Sequence, residues 1–149
     1  MTIDPLTFHK KFSAEDFDFQ YNLRSKRPDY ERTVIPEWIE RSAKVRSNFS
    51  DTLDIQYGAG QKQQLDLFRV EKKDAPTLVY FHGGYWQRGD KSIYSFLAPS
   101  FNSENINFIT IGYDLCPAVT ITEISAQARD ALKCIWKHSD MLRIHSNLL

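Results

Sequence analysis

The most chemically pointed residues of this chain are five in a row: His82, Gly83, Gly84, Tyr85 and Trp86. They close a run of β-branched and aromatic residues, Thr77 to Phe81, and a helical pattern follows them. Glycine lacks a Cβ, so consecutive glycines let backbone N–H groups come close to a ligand and adopt φ values other residues avoid. N–H groups aimed at one point are what acyl transfer needs to hold a developing oxyanion. Gly83 and Gly84 are therefore candidate oxyanion donors, and the bland alternative is a tight strand-to-helix turn. Tyr85 and Trp86 fit two roles equally, the wall of an apolar acyl or aromatic pocket or ordinary core.

The other reactive side chains gather into nothing comparable. His82 ends a buried run and is read as a structural anchor that hydrogen-bonds and holds the glycine loop. His9, His138 and His145 sit in polar contexts and are expected to be solvated, and four scattered histidines do not make a metal site. A serine nucleophile on a sharp turn needs Gly-x-Ser-x-Gly. The glycines stand at 58, 60, 83, 84, 89 and 112, and no serine lies between two of them at that spacing. Ser139 and Ser146 each follow a histidine, but adjacency in sequence does not give a nucleophile and base their geometry. No catalytic triad is assigned. Asp114 reads as a loop cap.

The elements that must position this loop follow from periodicity. Residues 1 to about 26 form a polar arm with phenylalanines at 8, 12, 17 and 19 that is expected to lie over the domain. Between Val34 and Phe49, Trp38, Ser42, Val45 and Phe49 recur at helical spacing, with Pro36 suited to a first turn. Leu53, Ile55 and Tyr57 alternate with polar residues, as do Leu65, Leu67 and Val70 beyond Gly58 and Gly60, which predicts a hairpin. Leu78 to Phe81 and Ile106 to Ile111 are nearly continuous apolar runs, expected of parallel strands buried on both faces. Between them, Ile93, Phe96, Leu97 and Phe101 predict a crossover helix capped by Ser92, with Pro99 acceptable near a first turn. Thr120 and Glu123 form a capping box in front of the stripe Ile121, Ile124, Ala128, Leu132, Ile135 and Trp136. Apolar support is expected to end near Lys137.

Composition excludes several functions. The chain has 149 residues, 42% hydrophobic and 26% charged, with 19 acidic against 19 basic residues. Each half of the chain is balanced in sign, so nothing points to nucleic acid or to a membrane surface. No apolar run approaches a membrane span and the first residues hold no secretory core. Cys116 and Cys134 are in neither a CxxC nor a metal-ligand spacing, which suggests reduced thiols in a cytoplasmic protein.

HGGYW at 82 to 86 and GYDLCPAVTITEI at 112 to 124 resemble the kynurenine formamidase (arylformamidase) family of α/β-hydrolases, which carries an HGGxW motif in the loop after the third strand. QYNLR at 20 to 24 and the SxxxR pattern at Ser42 and Arg46 are similar to that family's N-terminal arm. The resemblance covers roughly residues 15 to 138. It implies an α/β fold, the N-terminal part of an α/β-hydrolase: a hairpin plus parallel strands with crossover helices in an incomplete sheet. The division it implies is an arm and amphipathic helix over 1–50, a partial hydrolase domain over 51–138 and a divergent tail over 139–149, as a truncated gene or alternative transcript end would leave.

The activity implied is hydrolysis of N-formyl-L-kynurenine to L-kynurenine and formate, a step of tryptophan catabolism, without metal or organic cofactor. Gly83, Gly84 and Tyr85 match the family's oxyanion loop, and His82 and Trp86 are members of the motif. The family's Ser, acid and His have no counterparts in this chain, so inactivity alone is expected, together with instability or dependence on a partner. The other readings are a carboxylesterase-like hydrolase fragment and a non-catalytic protein that binds an aromatic ligand or a partner. Self-association through an exposed sheet edge is expected too.

Overall fold

The computed structural model describes residues 11–22 and 26–144. Phe8, His9, part of the QYNLR pattern, His145 and Ser146 lie outside the described residues. The chain divides into two compact units, residues 1–36 and 37–149.

The first unit contains helix α1, Ala14–Tyr21, opened by a capping box in which Ser13 and Asp16 bond each other's backbone N–H. A π-helical turn, Tyr30–Val34, leads into α2, Ile35–Arg46, with Pro36 in its first turn as its fixed φ favours.

The second unit is built on a four-stranded sheet of order β1-β2-β4-β3. Strands β1 (Ile55–Gln56) and β2 (Gln64–Phe68) form the expected hairpin, and β2 runs antiparallel to β4 (Asn107–Ile111). Strand β3 (Thr77–Phe81) pairs with β4 in parallel, Val79 opposite Ile109. The hairpin strand stops at Phe68 rather than reaching Val70. The Arg69 guanidinium donates to the Leu142 carbonyl, and the Val70 N–H donates to the Asn107 side chain.

Alternation sorts the side chains onto two layers. Leu65, Leu67, Ile109 and Ile111 face α4 (Ile121–Lys137), packing on Ala131 and Ile135. Phe68 and Phe108 face the other way, against Ala98, Val45, Phe49 and Phe101. Every residue of β4 is buried, as its continuous apolar run predicts. Strand β3 is different: its second edge has no strand partner among the described residues, and Leu78 is 37% exposed. Burial on both faces was therefore the right reading for β4 and too strong for β3.

Three further expectations are corrected. The predicted crossover helix is a run of 3-10 turns, Lys91–Leu97, followed by a short α3, Ala98–Asn102, with Pro99 in its first turn. Asp90, not Ser92, caps it, accepting from both the Ser92 N–H and hydroxyl, because a carboxylate is the stronger acceptor. Apolar support continues past Lys137, where a last turn, α5 (Ser139–Leu142), carries Leu142 and Ile144 into the core.

Candidate functional site

Strand β3 delivers His82 and the glycine loop to the C-terminal edge of the parallel strands, where open α/β sheets bind ligands. Gly84, Tyr85 and Trp86 have φ values of +135°, +55° and +58°. Three successive left-handed residues, two of them aromatic, are costly for a chain of L-amino acids and persist only where the surroundings enforce them. Gly84 is sterically required, since a Cβ there would lie 1.9 Å from the Arg88 carbonyl oxygen. Gly89, which the sequence reading left unassigned, closes the loop at φ +98°, where a Cβ would meet the Gly83 carbonyl and His82 Nδ1 at 2.7 Å. At Gly83 nothing among the described residues, its two chain neighbours aside, lies within 4 Å of a Cβ position.

The loop's hydrogen bonds divide sharply between donors and acceptors. The carbonyls of His82, Gly83, Gly84 and Trp86 are all engaged: by the Tyr113 hydroxyl, by His82 Nδ1 at 2.9 Å, by the Gln87 N–H at 3.1 Å and by the Cys116 N–H at 2.8 Å. The N–H groups of Gly83, Gly84, Tyr85 and Trp86 have no acceptor among the described residues. Successive unpaired N–H groups in left-handed backbone make an anion-binding concavity. Tyr85 and Trp86 flank it with their rings 5.4 Å apart, 79% and 43% exposed, so they are not core.

His82 is buried and stacks on Tyr113 at 4.3 Å and on Tyr94 at 5.9 Å, both nearly parallel. Nδ1 faces a carbonyl, so it carries the proton and donates. Burial pushes the imidazole below its usual range, partly countered by the Gly83 carbonyl and by Asp90. The ring is thus a neutral brace for the loop.

Sequence reasoning missed the supports behind it. Asp66, fully buried on β2, accepts from Arg46, from Lys91 Nζ at 2.6 Å and from the Asp54 N–H at 2.8 Å. Lys91 also bonds Asp54, whose carboxyl is held below its usual range chiefly by that ammonium. Ser42 sits one turn before Arg46 on α2, donating to the Ile93 carbonyl at 2.7 Å and accepting from the Phe96 N–H at 3.0 Å. The SxxxR pattern therefore attaches α2 at two places, through Ser42 to the segment that leaves the glycine loop and through Arg46 to Asp66 of β2. An acidic residue alternating with leucines in β2 was the available signal.

Of the remaining candidates, Cys116 meets this loop through its backbone N–H, whereas Ser139 lies away from it. Ser139 is buried in α5, alongside residues that share a cleft with Asn107 and Ala75 at the opposite end of the strands. His138 is half-buried at the end of α4. Cys116 and Cys134 are half-buried and unpaired, and burial pushes the Cys134 thiol up. Among the described residues no group of three or more His, Cys, Asp and Glu side chains could hold a metal ion, and no helix is long and apolar enough to cross a membrane.

No family model matches the chain. It is 26% identical to a kynurenine formamidase of Salmo salar over 74% of its own length and 38% of the relative's. It is 32% identical to a kynurenine formamidase of Drosophila melanogaster over 62% of its own length and 31% of the relative's. The chain thus spans 31% to 38% of the length of these curated relatives. Among solved structures, a Silicibacter sp. protein assigned as a thioesterase shares 34% identity at a TM-score of 0.65, covering 70% of this chain and 40% of that one. Esterase B of Lactobacillus rhamnosis, 17% identical, superposes at a TM-score of 0.58 over 81% of this chain and 43% of its own, a likeness of fold alone. Over this part of its length the chain is similar to the kynurenine formamidases and to α/β-hydrolase structures.

Proposed function

We propose that residues 82 to 89 are the oxyanion-binding half of a hydrolase site acting on an aromatic formamide, with N-formylkynurenine as the substrate the relatives' names suggest. The observation that carries this is the division within the loop, where carbonyls are tied inward and the N–H groups of Gly83 to Trp86 are left to a ligand. Attack on the formyl carbon turns its carbonyl oxygen into an oxyanion, which N–H groups fixed beforehand stabilise without reorganising. Each such donor is worth roughly 10²–10³ in rate. Gly83 leaves space for the formyl group, and the exposed rings of Tyr85 and Trp86 suit an aryl substrate.

The nucleophile is the complementary half. No serine of residues 1–149 lies in Gly-x-Ser-x-Gly, so the chain by itself is expected to bind and not to turn over. The test is the purified chain with N-formylkynurenine and with a small acyl ester. No turnover of either is expected; turnover abolished by a serine-reactive inhibitor would overturn the assignment. A carboxylesterase-type substrate is the second reading, favoured by the esterase-like fold, and the relative rates of the two substrates on an active assembly separate them. The exposed aromatic pair also supports a third reading, a non-catalytic binding protein, which would show saturable binding of aromatics with no dependence on a formyl or acyl group.

Two surface features support further parts of this reading. The open edge of β3 supports self-association, and two unpaired cysteines support a cytoplasmic setting.

A further inference from the structure

We propose that Asp114 and Gln127 are positioning residues that hold the glycine loop in its left-handed form. The inference rests on the reading of residues 83 to 86 as an anion-binding loop, but its own test does not.

The loop that follows β4, residues 112 to 117, grips the glycine loop at both ends. The Tyr113 hydroxyl donates to the His82 carbonyl at its start, and the Cys116 N–H donates to the Trp86 carbonyl at its finish, 2.8 Å away. Two such grips define a geometry only if the gripping loop is itself fixed. Asp114 lies between them and is half-buried, with no basic side chain in ion-pair distance among the described residues.

Its partners are amides. Gln127 on α4 clamps it twice, accepting from the Asp114 N–H at 2.9 Å and donating to Oδ2 at 3.0 Å. Gln63, on the turn before β2, donates to the same oxygen at 3.0 Å. One residue is thus tied through main chain and side chain to α4, and through its carboxylate to the hairpin. Gly60 passes close enough that a Cβ there would meet the Asp114 oxygen at 2.7 Å, so the hairpin turn is fitted around this contact. The chain of support runs from α4 through Gln127 and Asp114 to Cys116, and from there to Trp86.

What the clamp supplies is shape, not charge. A neutral oxygen at the Oδ2 position accepts from the same two amides, so Asp114→Asn keeps the clamp, whereas Asp114→Ala and Gln127→Met break it. The reporters are the amide protons of Cys116, bonded to Trp86, and of Gln87, bonded to Gly84. Hydrogen exchange is followed by NMR on the full chain. Both amides are expected to exchange about tenfold faster in Asp114→Ala and Gln127→Met, as the loss of a net hydrogen bond implies. Amides of β4 and of Ala131 to Ile135 are expected to hold their rates, and Asp114→Asn to stay near the parent.

Unchanged exchange at Cys116 and Gln87 in the two disruptive variants would overturn the proposal. So would an acceleration spread evenly over β4 and α4, or an Asp114→Asn variant as fast as Asp114→Ala. Sodium formate, titrated against the amide resonances of Gly83 to Trp86, tests the parent reading separately. If formate moves nothing while the variants still release Cys116 and Gln87, the clamp stands and the anion site falls.

Discussion

Gly83 and Gly84 are adjacent and alike in sequence, yet an alanine should separate them sharply. At Gly84 the added Cβ sits 1.9 Å from the Arg88 carbonyl oxygen, more than 1 Å inside the closest approach real Cβ atoms make, on a backbone with φ of +135°. Holding a non-glycine residue in such a conformation costs roughly 1–3 kcal/mol. Moving Arg88 aside also strains the turn in which the Gln87 N–H reaches the Gly84 carbonyl, worth about 1 kcal/mol. Gly84→Ala should therefore destabilise by about 2–4 kcal/mol, a fall in Tm of about 5–15 °C for a chain this size. At Gly83 the Cβ meets nothing within 4 Å among the described residues beyond its chain neighbours and φ is not left-handed, so Gly83→Ala should change stability by less than about 0.5 kcal/mol. The assay is thermal unfolding at one fixed protein concentration, since any self-association shifts Tm by mass action. Equal shifts for the two variants, or a larger one at Gly83, would refute the account of the loop. The same pair should invert in binding, with Gly83→Ala weakening formate while leaving the fold intact.

Other expectations follow from the supports around the loop. Asp66→Asn leaves the buried Lys91 ammonium poorly compensated and should cost about 3–5 kcal/mol by urea unfolding; adding Lys91→Met should recover part of it, and no recovery would show that the network is not the cause. His82 is held below its usual range mainly by burial, so the unfolded chain takes up its proton first. Stability should therefore be full above the ordinary histidine value of about 6.5 and fall as pH drops through it toward the depressed one, a slope that His82→Gln removes. The depressed carboxyls of Asp54 and Asp90 lose stability in a separate window, below the ordinary aspartate range. Leu78→Lys, on the open edge of β3, should lower any concentration-dependent association measured by sedimentation; an unchanged association would move the interface elsewhere.

Much of the frame is legible without coordinates because it is local. The stripe from Ile121 to Trp136 and its Thr120–Glu123 box describe a helix within a few residues of its observed bounds, since capping and 3.6-residue periodicity involve neighbours only. The hairpin and the buried β4 run are legible for the same reason. The run in β3 misled in part, because an apolar pattern reports what a strand could bury and not how many neighbours it finds.

For the site, sequence alone determined that His82, Gly83 and Gly84 stand together at the end of a strand, and that Gly83 and Gly84 permit a conformation suited to an oxyanion. The tertiary structure decided the rest. Tyr85 and Trp86 adopt left-handed backbone against their own preference because Tyr113, Cys116 and Gly89 enclose the loop. The groups that enforce this lie far apart along the chain, 31 residues between His82 and Tyr113 and 25 between Asp66 and Lys91. No window of neighbouring residues contains such a pair, and only packing strands and helices into one core brings them within hydrogen-bond distance.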